Sequence, residues 1–61
     1  MNDAELDQLY THLCRTMTEL GESSSSLFLA RFALLAMTHI DDTVIVRELL
    51  AAAAEGLPQN A

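Results

Sequence analysis

Between Leu27 and Ile40 the chain reads LFLARFALLAMTHI, fourteen residues of which only Arg31, Thr38 and His39 are polar. At 3.6 residues per turn those three fall within one sector of about 100°, so a helix here is apolar around roughly two-thirds of its circumference. Upstream, Leu6, Leu9, Tyr10, Leu13, Met17 and Leu20 recur at steps of three and four, with Gln8, Thr11, His12, Arg15, Thr18 and Glu19 on the other side. That spacing predicts an amphipathic helix over about 3–20. Asn2 followed by Glu5 suits a reciprocal cap, and Asp3, Glu5 and Asp7 place negative charge where the helix dipole favours it. Gly21 is the expected left-handed stop. The serines of Glu22–Ser26 compete for backbone hydrogen bonds, which predicts a turn, then an N-cap at Ser24 or Ser25, then a central helix over about 25–39.

The third segment is locally ambiguous. Thr43, Val44, Ile45 and Val46 are all β-branched and favour a strand on their own. Val46, Leu49, Leu50, Ala53 and Leu57 nevertheless keep helical spacing, RELLAAAAEG is a strong helix-forming composition, and one short strand would have no partner in this chain. A helix over about 43–55 is expected, capped by Asp42 and stopped by Gly56 and Pro58, with residues 59–61 a frayed tail. The fold class is therefore all-α. One domain over 1–61 holds three short helices, a helical hairpin or bundle that dimerisation or a partner protein completes.

Length is what makes that completion necessary. Sixty-one residues sit near the lower limit for folding alone. Ordering entropy of about 1.5 kcal/mol per residue must be offset, and chains of this size commonly turn to disulfides, metals or association. Cys14 alone cannot form an internal disulfide, and two histidines without a cysteine pair do not make a structural zinc site. Association remains. Phe28, Phe32, Leu34, Leu35 and Met37 exceed what one small three-helix core can take, so a dimer or a groove on another protein is favoured over the chain's own interior.

Charge narrows the partners. Three basic residues against nine acidic ones give a net charge of −6, and Arg15, Arg31 and Arg47 fall one to each helix. Nucleic acid and anionic membranes are therefore not expected partners. The acidic N-terminus MNDAELD is unlike an export signal, and the central apolar run is too short and too interrupted to span a bilayer. With a lone thiol, these features lead to an expectation of a bacterial cytoplasmic protein.

Candidate chemistry is sparse. His12 and Cys14 are about 200° apart on one helix and cannot share an ion through that face. His39 with Asp41 and Asp42 could form a cluster, but a histidine at a helix end is already accounted for by the dipole. Cys14 borders the apolar stripe, where small thiols are commonly inert. There is no phosphate loop, no Ser–His–acid arrangement, and no Asp-Ser-Leu attachment site of an acyl carrier. No catalytic residue, cofactor or metal is expected. Arg31 either pairs with an acidic residue of a neighbouring helix or anchors an interface, since arginine among large apolar residues is typical of binding hot spots. The expected interface is Phe28, Arg31, Phe32, Leu34, Leu35, Met37, Thr38 and His39.

Ala30, Arg31, Leu34, Leu35, His39, Ile40 and Asp42, followed by Arg47, Glu48 and Leu50, form a pattern with Tyr10 and Leu13 upstream. It resembles a family of short, uncharacterised bacterial helical proteins, a domain of unknown function often encoded near flavin-dependent aromatic hydroxylases. The chain departs from that pattern at Leu29, where the family has asparagine, and at Asp41, where it has glycine. The resemblance implies an accessory subunit of a larger, FAD-dependent aromatic-degrading enzyme and adds no catalytic residue. The expectation is a non-enzymatic interaction protein, a homodimer or bound to a larger protein through helix 27–40. The alternative is a small acidic regulator, anti-activator or antitoxin-like, that masks a basic partner.

Overall fold

The structure, a computed structural model, describes residues 1–59 and contains helices α1 (Asp3–Leu20), α2 (Glu22–His39) and α3 (Thr43–Ala54), with no strand among those residues. Helix α1 begins as its sequence predicts. Asn2 Oδ1 accepts from the Glu5 amide at 2.8 Å, and the Asn2 amide donates to Glu5 Oε1 at 3.1 Å, so two of the helix's orphan donors are satisfied reciprocally.

The junction between α1 and α2 is tighter than expected. Gly21 alone makes it, at φ 86° and ψ 165°, acting as last cap of one helix and first cap of the next. Its N–H donates to the Met17 carbonyl at 3.0 Å, and its carbonyl accepts from the Ser24 amide at 3.2 Å. The serine patch is therefore not a turn, and neither Ser24 nor Ser25 is an N-cap. Helix α2 starts at Glu22 with no side-chain cap. Because a glycine at positive φ completes the change of direction in one residue, the serines are free to be helical. The Ser25 hydroxyl bonds back to the carbonyls of Gly21 (2.9 Å) and Met17 (3.3 Å), tying the start of α2 to the end of α1.

Helix α2 ends at His39 as expected, its last carbonyls taken by the Ile40 amide, which donates to Ala36 and Met37 at 3.2 and 3.3 Å. Ile40 and Asp42 are extended, and Asp42 Oδ1 accepts from the amides of Val44 (2.9 Å) and Ile45 (3.1 Å). That cap and the alanine run outweigh the β preference of Thr43–Val46, so α3 is helical to Ala54 and turns off at Gly56, at φ 78°. Gln59 is outside regular structure, and the remainder of the expected tail, Asn60 and Ala61, lies outside the described residues.

Within one chain the three helices enclose no core. No described residue is buried. The helices meet only near their junctions: among the described residues no two Cα atoms twelve or more positions apart come within 8 Å. The radius of gyration is 13.3 Å, against about 10.5 Å for a compact domain of this length. The accessible surface is 5715 Å², against about 3,900 Å² for a compact protein of this mass. Phe28, Phe32, Leu34, Leu35 and Met37 accordingly do not fill an interior of the single chain.

Two substitutions test the junctions. At Gly21 an added Cβ would meet nothing within 4 Å, so Gly21→Ala costs only backbone strain at positive φ, about 1–3 kcal/mol. It should appear as a lowered melting temperature by circular dichroism, and an unchanged melt would mean that the junction is not held at that geometry. Asp42→Ala removes both cap bonds of α3 and should cost about 1 kcal/mol in chemical denaturation. A loss confined to α3 amides in hydrogen exchange would locate the effect.

Candidate interaction site

Helix α1 is amphipathic, and its stripe of Leu6, Leu9, Leu13 and Thr16 faces the first half of α2, where Phe28 and Phe32 stand one turn apart. With Met1, Tyr10 and His12 at the margins, these side chains line a cleft of about 580 Å³. Only its inner end is partly closed: Leu13, Thr16 and Phe28 are half-buried, whereas Leu6, Leu9 and Phe32 remain 55, 53 and 54% exposed. The lining contains no Asp, Glu, Lys or Arg, although the chain carries a net charge of −6.

A second apolar surface lies on the flank of α2 beside Phe28. Leu27, Leu34 and Leu35 surround Arg31 there, with Leu34 and Leu35 65 and 63% exposed and Arg31 itself exposed. Thr38 lies a heptad after Arg31, and its hydroxyl donates to the Leu35 carbonyl at 2.6 Å, so its polarity is spent within the helix. A smaller hollow of about 260 Å³ lies at the α2–α3 corner among Met37, Ile40, Asp41, Asp42, Thr43, Val46 and Arg47. On α3, Ile45, Leu49 and Leu50 are exposed at helical spacing while Val46 is half-buried.

The structure thus divides the residues that the sequence singles out. Phe28 and Phe32 belong to the α1–α2 cleft, Met37 to the α2–α3 corner, and Arg31, Leu34, Leu35 and Thr38 to the flank of α2 beside Phe28; His39 is exposed at the helix end. The cleft draws equally on α1. Leu6, Leu9 and Leu13 look like core positions in sequence, and the available signal was that a chain this short cannot bury a whole amphipathic stripe.

Reactive groups do not converge. Cys14 is a free, exposed thiol in a shallow groove with Tyr10, Thr11, Arg15, Thr18 and Glu19, while His12 turns to the cleft. Among the described residues no three His, Cys, Asp or Glu side chains are grouped to hold a metal, and no helix is long and apolar enough to cross a membrane. The carboxylate of Asp42 is occupied by its cap bonds.

Residues 1–55 match the sequence model of a family described as protein of unknown function, DUF2783. No curated protein and no solved structure matches the chain.

Proposed function

The chain belongs to the DUF2783 family, and on that premise we propose that it is a non-enzymatic helical interaction protein, an accessory subunit that docks on a larger protein through the flank of α2 that carries Arg31. The observation that carries this reading is the exposed group of Leu27, Leu34 and Leu35 around Arg31, which nothing in its own chain covers. Burying a leucine side chain fully is worth about 1.5–3 kcal/mol. An arginine set among such residues can span a partner's surface with its stem and pair a carboxylate with its head.

The larger partner that the family resemblance implies is an FAD-dependent, aromatic-degrading oxidoreductase. The cytoplasm, as a reducing compartment, suits the free Cys14 thiol. A second reading, an acidic regulator masking a basic protein, is supported by the net charge of −6. It is less well served by this flank of α2, where the formal charge is the cation of Arg31.

Co-purification with the oxidoreductase encoded nearest to it is the test. Arg31→Ala should weaken binding about tenfold or more, equivalent to about 1.4 kcal/mol, and Leu34→Asp should abolish capture. Both residues are exposed, so helicity by circular dichroism should not change. Wild-type capture by both variants would remove the Arg31 flank of α2 from the interface, and capture of a basic protein instead would favour the regulator.

A further inference from the structure

We propose that the α1–α2 cleft is filled by α3 of a second copy of this chain, reciprocally, so that two chains exchange their third helices in a two-fold dimer. The inference rests on the reading of the chain as an interaction protein and adds what covers the surface that its larger partner does not.

Area is the first argument. The accessible surface of 5715 Å² exceeds that of a compact chain of equal mass by about 1,800 Å². A standard interface removes only about 800 Å² from each partner, leaving more than half of that excess uncovered. A pair of chains that removed all of it would bury about 3,600 Å² in total, within the range of obligate homodimers.

Shape is the second. Each chain carries one concave apolar cleft and one unpartnered apolar helix, and the two do not meet within the chain. On α3, Ile45 and Leu49 form a ridge, and the run Ala51–Ala54 leaves the helix thin enough to approach closely. Its twelve residues extend about 18 Å, shorter than the roughly 27 Å of α1, so it can lie along the cleft. One cleft and one helix per chain satisfy each other in a closed pair, with no open end for further addition.

Charge is the third. Two copies at −6 each repel, least when carboxylates are kept out of the seam, and the cleft lining contains no Asp, Glu, Lys or Arg. By helical phase Arg47 lies opposite the Ile45–Leu49 ridge, while Glu48, three residues after Ile45, flanks it, so the one carboxylate within Thr43–Ala54 falls at the edge of the seam and not along its middle. A basic partner would need carboxylates in the cleft, and none lines it.

Complementation between two variants tests the exchange. Leu9→Glu spoils the cleft and Leu49→Lys spoils α3. Each variant alone should self-associate at least 100-fold more weakly than wild type by analytical ultracentrifugation and lose helicity on dilution. An equimolar mixture should regain dimer mass and helicity, because one chain's intact α3 meets the other's intact cleft. A wild-type dimer whose two variants fail to rescue each other would overturn the exchange while leaving the interaction-protein reading in place. A wild-type chain that stays monomeric and melts cooperatively at every concentration would overturn the second copy as occupant, and capture by the oxidoreductase then decides the broader reading separately.

Discussion

The shortage of chain relative to surface governs this molecule. Three helices of 18, 18 and 12 residues each have an apolar side, and a packed solution needs those sides to face a common centre. Here the connections are one residue at Gly21 and three at Ile40–Asp42, and they lead the helices away from one another. Side-chain hydrogen bonds cap the starts of α1 and α3, but they contribute little net free energy compared with apolar burial. The local structure is therefore well specified while the helices of the single chain enclose no core.

Much of the local structure was legible in sequence because it depends on residues close together. The Asn2–Glu5 pair, the Asp42 cap and the victory of Leu49, Leu50 and the alanines over four β-branched residues all follow from short-range chemistry. The Glu22–Ser26 patch misled for an equally physical reason. Serines suit both a turn and a helix's first turns, and what decided between them was Gly21, which turned the chain without their help. The cleft was not legible, because it depends on the angle at that glycine and not on either helix's own pattern. Composition and length did indicate that cover was missing, though not which face lacked it.

Helix α2 occupies a singular place in this arrangement. Apolar on nearly every side, it contributes Phe28 and Phe32 to one surface, Met37 to a corner and Leu34, Leu35 and Arg31 to a third. A helix built this way sits normally at the centre of an assembly, with neighbours all round it. Its scarcity of charge contrasts with the acidic residues of α1, at Asp3, Glu5 and Asp7, and of the α2–α3 corner, at Asp41 and Asp42. The carboxylates thus lie outside the apolar middle of the chain.

The one-residue junction at Gly21 also governs how such a chain can change length. With the two helices joined through a single residue and clamped by the Ser25 hydroxyl, the rotational phase of α1 relative to α2 is set by counting residues alone. Adding or removing one residue near the end of α1 turns its leucine stripe by about 100°, carrying Leu6, Leu9 and Leu13 away from Phe28 and Phe32. Gene-level insertions and deletions in this part of the chain are thus tolerated only in steps close to whole turns, three or four residues at a time, whereas the chain beyond Gly56 is under no such gearing.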